Sequence, residues 1–366
     1  MKVVNIASSY SSRYAGNFIP SLFALAKKLE KNYRVIFSFP DKARNRFWVD
    51  FLIKNKFKVA FFSIDSNRRT ITSLKKINKD NKVSIFYSHF ISTPIVKMLS
   101  PFSHRLKMVI HIHSDFRCGN KRLSFNSKLK RLIFEKIIRK DASYIYVSDA
   151  MMSESKGVNC YYVRNALSVD RIISQDRYNK SIASMFSGSK INFLTFGWSP
   201  KTKGVDIVCK AFTEMEKECQ NQSKLFIVAN ENGKEKIVDF IKNTVNIDLV
   251  QYPNIIILEP LEDVFELYKN CDVFISSSRS EGFSYSILES LYFGLEVLMS
   301  DIDGTRWAQE FGAKTFNLAN CNELKILMEN SILTGRFDKK INTNLLETFS
   351  ISNWVEKVTT ILERNI

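Results

Sequence analysis

Two glutamates eight positions apart, Glu281 and Glu289, bracket a glycine and a run of small or polar residues, Gly282-Phe283-Ser284-Tyr285-Ser286. Carboxylates beside a glycine turn repel phosphate but accept well from hydroxyl groups. The stretch between them opens a helical pattern in which Ile287, Leu288, Leu291 and Tyr292 recur, and the pattern stops at Gly294. A strand signal, Cys271-Asp272-Val273-Phe274-Ile275, precedes it through the loop Ser276-Ser277-Ser278-Arg279-Ser280, and another strand, Val297-Leu298-Met299, follows. A helix that starts at the carboxyl end of a strand offers unpaired N–H groups and the positive end of its dipole, both of which attract anions. An anion seat next to two hydroxyl acceptors suits a nucleotide sugar. Ser286-Ile287-Leu288-Glu289 also fits a capping box, in which Glu289 would only close the helix start. On this segment alone both readings stand.

Four histidines occur, at 89, 104, 111 and 113. His89 ends one strand pattern and His111-Ile112-His113 ends another, so these three fall near the carboxyl edge of a first sheet. A zinc cluster is one reading, but no acidic or cysteine ligand sits at supporting spacing, and no metal is expected. His104, after Pro101-Phe102-Ser103, reads as surface. Asp301-Ile302-Asp303 has the form of a metal-binding DxD motif and reads, with Gly304, as a turn. The six cysteines, at 118, 160, 209, 219, 271 and 321, include no C-x-x-C pair and read as free thiols.

The elements that must hold these residues alternate short apolar strands with longer helical patterns, as a parallel doubly wound α/β sheet requires. Strands are expected at 3–6, 35–39, 59–62, 84–87, 108–111 and 144–147, then at 193–196, 225–228, 255–258, 273–275 and 297–299. Helices are expected between them, including 19–30, 203–218, 261–269 and 285–293. With 366 residues, 45% of them apolar, the chain is long enough for two domains. The expected division is 1–167, a polar linker at 168–189, and 190–351, with a final helix at 352–366 packing back on the first domain.

Charge is divided unevenly. Residues 1–180 hold 35 Lys+Arg against 12 Asp+Glu, or +23, while the remainder is −6. Such asymmetry points to a polyanionic partner for the first half, an anionic membrane surface or nucleic acid. Two basic segments, 44–56 and 127–140, interleave apolar residues. Each suits a helix lying on an anionic bilayer or an ordinary helix turning its apolar stripe to the core. No helix-turn-helix, zinc-finger or RNA-binding aromatic signature accompanies the charge, so nucleic acid is not the expected partner. Neither a membrane span nor a signal peptide is recognisable. The expected location is the cytoplasm, peripheral on the inner face of the cell membrane.

The Glu281-x7-Glu289 segment resembles the corresponding motif of retaining glycosyltransferases of the two-Rossmann-domain (GT-B) type, in particular family 4. Phe196-Gly197-Trp198-Ser199-Pro200-Lys201-Thr202-Lys203-Gly204-Val205-Asp206 is similar to that family's strand-loop-helix element, with Ala211-Phe212 where its helix ends. Ser300-Asp301-Ile302-Asp303-Gly304 falls where the family has its next loop, and Val163-Arg164-Asn165-Ala166-Leu167-Ser168-Val169-Asp170 is similar to the stretch that closes its first domain. The resemblance implies two Rossmann-like domains facing each other across a cleft. It implies Lys203 on the donor diphosphate, Glu281 on the transferred sugar, Glu289 on the ribose, and the backbone of Gly282, Phe283, Ser284 and Tyr285 close to the donor. His113 would contact the transferred sugar, and Gly16, in the loop 8–18, would mark the place of the family's glycine-rich loop. The family's usual arginine is replaced by Trp198, for which Lys201 is the candidate substitute, and its glutamate downstream of Gly304 is absent. The implied donor is a nucleoside diphosphate sugar, UDP-linked, with no tightly bound cofactor or metal. The implied acceptor is lipid-linked or saccharide, in assembly of bacterial surface polysaccharide. A nucleotide-sugar epimerase of the same architecture and a non-catalytic nucleic-acid-binding protein are the rivals. The second leaves Lys203 and the glutamate pair without a purpose.

Overall fold

The structure is a computed structural model, and it describes residues 1–99, 106–113, 142–153, 159–170, 183–261, 263–335 and 339–364. The chain divides into two compact units: Met1–Ser174 with Thr348–Ile366, and Gln175–Glu347. Each is built on one parallel sheet with helical crossovers, so both units are Rossmann-like.

In the first unit the described strands are β1 (Val3–Ser8), β2 (Arg34–Pro40), β3 (Lys58–Phe62), β4 (Ile85–His89), β5 (Lys107–Ile112), β6 (Ser143–Tyr146) and β7 (Cys160–Tyr162). Their order is β3-β2-β1-β4-β5-β6-β7. Central β1 is apolar or buried throughout because helices cover both faces of a parallel sheet. The helix Phe18–Leu29 lays Ile19, Leu22, Leu25 and Leu29 on the core. The closing helix Ile351–Arg364 adds Trp354, Val355, Val358, Ile361 and Leu362 to that same core. Burial of such side chains contributes about 1.5–3 kcal/mol apiece, which ties the end of the chain to its beginning.

The second unit holds β8 (Ile191–Phe196), β9 (Ser223–Val228), β10 (Ile255–Leu258), β11 (Val273–Ser276), β12 (Glu296–Ser300) and β13 (Lys314–Phe316), in the order β10-β9-β8-β11-β12-β13. Its core gathers Phe193, Val205, Val208, Phe212, Leu225, Ile227, Val273, Ile275 and Leu298. Each sheet reverses its strand order once, between β1 and β4 in the first and between β8 and β11 in the second. Ligands of open α/β sheets bind outside the carboxyl ends of the strands at such a reversal.

Three sequence expectations are corrected. Strands β7 and β13, three residues each at a sheet edge, lack the length that makes a strand visible in sequence. The helix expected over 203–218 is interrupted: a short helix Pro200–Lys203 ends at left-handed Gly204, and a second runs Val205–Thr213. The helix expected over 261–269 is confined to Phe265–Asn270. The basic segment 44–56 yields the helix Phe47–Lys54, whose Trp48, Val49 and Leu52 are core residues. Its apolar stripe is therefore spent on packing, while Asp50, Ile53 and Lys54 are exposed. The segment 127–140, His104 and Cys118 lie outside the described residues. Among the described residues no helix is long and apolar enough to cross a membrane.

Candidate active site

Lys203 and Glu281 meet at the strand-order reversal of the second unit. Lys203 follows β8, and Glu281 follows β11, the neighbour of β8 in the sheet. The Lys203 ammonium donates to Glu281 Oε1, and both side chains are largely buried, at 15% and 13% exposure. Ser278 Oγ donates to the same carboxylate oxygen at 2.9 Å. The Lys203 ammonium also sits 5.2 Å from the centre of the Trp198 ring, a cation–π distance.

The backbone forces this meeting. Gly204 adopts φ +66, and a Cβ placed there would lie 2.0 Å from the carbonyl oxygen of Ser277, so only glycine lets the two loops touch. Ser277 Oγ donates to the carbonyls of Lys203 and Gly204, each at 2.9 Å. Arg279 locks the arrangement with a two-pronged bond to Asp206, at 2.8 and 2.6 Å, and a third bond to the Lys201 carbonyl at 2.7 Å. The paired carboxylate holds the Arg279 guanidinium above its ordinary value, as expected for a fork-to-fork ion pair. Below Glu281 lies Gly304, where an added Cβ would come within 2.0 Å of the Glu281 carbonyl oxygen.

Helix Tyr285–Tyr292 begins at Ser284, whose hydroxyl accepts from the Ile287 N–H at 3.4 Å. That cap belongs to Ser284, so the capping box read from Ser286 and Glu289 is not formed. Glu289 is instead buried, 6% exposed, and its Oε2 accepts from the hydroxyl of buried Tyr268 at 2.7 Å. Phe283 stacks on Trp307 with ring centres 4.6 Å apart and planes 7° from parallel. Arg306 binds Asp301 at 2.6 Å and Asp303 at 2.7 Å, so the DxD-like stretch is a turn tied by its own arginine. Lys201 is exposed and contributes its carbonyl to Arg279.

Gly16 and His113 belong to the first unit. Gly16 has φ +56 and precedes the helix Phe18–Leu29. His113 follows β5, next to His89 and His111. The register pairs His89 with His111. His89 Nδ1 lies 2.8 Å from His113 Nε2, and His111 Nδ1 lies 2.7 Å from the Tyr87 hydroxyl. Burial pushes His113 down to about 3 and holds His89 and His111 well below the ordinary imidazole value, with the neighbouring His113 adding to both. Near neutral pH all three are uncharged. Ligand atoms of the three come within 4.8 Å of one another. The rings of His111 and His113 stack at 4.4 Å and 18°.

Sequence reasoning singled out Lys203, Glu281 and Glu289 but not their supports. Tyr268 gave no signal. Arg279 did give one, as the single charge in a serine-rich loop six residues past a strand start. Asp206, its partner, stood in the Lys-Gly-x-Asp stretch without an assigned role.

Residues 190–325 match the family described as glycosyl transferases group 1. Among curated proteins, the chain is 24% identical over 253 residues to a Campylobacter jejuni enzyme named GalNAc-α-(1→4)-GalNAc-α-(1→3)-diNAcBac-PP-undecaprenol α-1,4-N-acetyl-D-galactosaminyltransferase. That match covers 69% of this chain and 65% of the relative. A second Campylobacter jejuni protein, named N,N'-diacetylbacillosaminyl-diphospho-undecaprenol α-1,3-N-acetylgalactosaminyltransferase, is 34% identical over 89 residues, covering 23% of this chain and 22% of its own length. The chain thus spans less than two thirds of either relative. Among solved structures, Anabaena HepE in complex with UDP shares the fold over the whole of both chains, with a TM-score of 0.71 at 14% identity.

Proposed function

We propose, from the match of residues 190–325 to the glycosyl transferases group 1, that the chain is a retaining glycosyltransferase. It would move a sugar from a nucleoside diphosphate sugar, UDP-linked, to a lipid-linked or saccharide acceptor in surface glycan assembly. The observation that carries this reading is the Lys203–Glu281 pair at the strand-order reversal between β8 and β11. A cation and an anion fixed side by side there match a diphosphate joined to a hydroxyl-bearing sugar. The printed names of the two Campylobacter relatives support the acceptor class, and the UDP complex of HepE supports the nucleotide.

In this reading the bond from the sugar C1 to the diphosphate breaks with its electron pair moving to the phosphate oxygen. Lys203 neutralises the charge that grows there, seconded by Lys201, and the N–H groups of Gly282, Phe283, Ser284 and Tyr285 add their dipoles. Glu281 orients the sugar through its hydroxyls, and Glu289, steadied by Tyr268, takes the ribose. The acceptor hydroxyl bonds to C1 on the face that the diphosphate leaves and passes its proton to the departing diphosphate oxygen, which lies on that same face. Gly16 and His113 are assigned to phosphate-side and sugar contacts by family resemblance alone. The +23 charge of residues 1–180 supports an acceptor presented at an anionic membrane surface. Flotation with phosphatidylglycerol vesicles at low salt, lost at high salt, tests that part, and absence of binding at low salt removes it.

Calorimetric titration of UDP, GDP and ADP into wild type, Lys203→Ala and Glu289→Ala tests the donor site. UDP is expected to bind selectively. Each substitution should weaken it by about tenfold to a hundredfold, the worth of a charge-assisted hydrogen bond. If none of the three nucleotides binds, the donor reading fails. UDP release that needs no acceptor and yields an isomerised sugar would favour the epimerase.

A further inference from the structure

The first sheet has its own strand-order reversal, between β1 and β4, and the side chains gathered there are aromatic. Tyr10 and Phe18 come from the connection after β1, and Phe90 is the first residue after β4. The Ser9 N–H donates to the His89 carbonyl at 3.1 Å, which binds the two connections together. Phe90 is unusual in two ways. Its backbone is left-handed, φ +56, a conformation that a bulky side chain adopts only where its surroundings impose it. Its side chain is nevertheless 47% exposed. The ring stacks on His113, with centres 4.3 Å apart and planes 28° from parallel, and meets Phe18 edge-on at 5.0 Å.

Stability does not account for a phenylalanine here. Glycine adopts this backbone without strain, and a half-exposed ring gains little from burial. Strain kept at the ligand-binding edge of a sheet marks a functional position. We propose that Phe90 recognises the acceptor: its ring takes the apolar C–H face of a saccharide unit.

A ring face is electron-rich and its edge positive, so it suits the polarised C–H groups of a sugar. Polar groups hem this ring in: the His113 imidazole stacks on it, and the nearby Tyr10 hydroxyl donates to the Tyr14 carbonyl at 2.6 Å. A polyprenyl tail would require a continuous apolar groove, and a ring flanked by Phe18 on one side and by the His113 imidazole on another is a mixed surface of the kind a sugar ring fits. The inference rests on the glycosyltransferase reading for its ligand class and adds a substrate contact to it.

Saturation-transfer NMR of the full chain with methyl N-acetyl-α-galactosaminide, the sugar carried in the names of both Campylobacter relatives, tests it. Wild type and Phe90→Trp should transfer saturation to the sugar C–H protons. Phe90→Gly should lose about fivefold or more of that signal, while its melting temperature stays level or rises. An undiminished signal in Phe90→Gly, or none in wild type, overturns the proposal. So does a lost signal accompanied by a lowered melting temperature, which would make Phe90 a packing residue. Competition by farnesyl phosphate, with no saturation of the sugar, would give the ring to a lipid chain and overturn it too. A parallel UDP titration on the same samples separates the two readings. If UDP fails to bind, the donor assignment fails, whatever the sugar signal shows.

Discussion

The two units repeat one topology and equip it with opposite chemistry. Each sheet reverses its strand order once. At the second reversal stand fixed charges, Lys203 on Glu281 and Arg279 on Asp206. At the first stand Tyr10, Phe18 and Phe90 over three uncharged imidazoles. A shared strand order therefore says where a ligand belongs in each unit, and the loops say what kind. The overall balance runs the other way, since residues 1–180 are strongly basic and the rest mildly acidic. The basic half sets aromatic rings and uncharged imidazoles at its sheet reversal. The acidic half concentrates paired charge at its own.

This contrast can be broken by experiment. The largest effect should come from Lys203→Ala, which should lower transferase turnover by about 10²- to 10³-fold, the usual consequence of losing one group that stabilises developing charge. Radiolabelled sugar transfer measures it, and a loss below tenfold would remove Lys203 from the chemistry. Gly204→Ala comes next, because its Cβ collides with the Ser277 carbonyl. It should destabilise the second unit by about 3 kcal/mol, read by denaturant unfolding, and leave hydrogen-exchange protection of the first unit intact.

The third prediction is a pH effect confined to the first unit. His113 is held near 3, and His89 and His111 well below their ordinary value. Unfolded imidazoles titrate near 6.5, so below that pH the unfolded chain binds more protons than the folded one. The first unit's stability is thus complete above about pH 6.5 and is lost as the pH falls toward 3. By about pH 5 the loss should be of order 1–2 kcal/mol per imidazole. Hydrogen exchange should show β4 and β5 opening on acidification while β8 and β11 hold. Equal loss in both units would refute the assignment. The smallest effect is expected from Arg279→Ala: about 1 kcal/mol of stability for a partly exposed ion pair, and a severalfold rise in the KM for the donor as the Lys203 loop loosens.

Most of this architecture was legible in the sequence, and the failures have physical reasons. Buried parallel strands such as β1 and β8 announce themselves as short apolar runs between longer patterns. Edge strands β7 and β13 do not, because three residues carry no periodicity. Lys203, Glu281 and Glu289 stood out because charge near glycine at a strand end is conspicuous. The partners that steady them were hidden by distance: 21 residues separate Tyr268 from Glu289, and 73 separate Asp206 from Arg279. The capping serine is not legible in the sequence, because Ser284 and Ser286 offer the same chemistry and only the backbone angle at Ser284 chooses between them. Phe90 carried no sequence signal. Its left-handed backbone and half-exposed ring are visible only in three dimensions.

Gly304 has a practical consequence for anyone who wishes to redirect this protein. Because the Glu281 carbonyl rests directly on it, the loop after β11 can be diversified from its outer side only. A mutant library should therefore hold Gly204 and Gly304 constant and vary Trp198, Tyr285 and Trp307. Libraries that randomise the glycines as well will fill with clones that never mature, and the screen will report poor folding as poor selectivity.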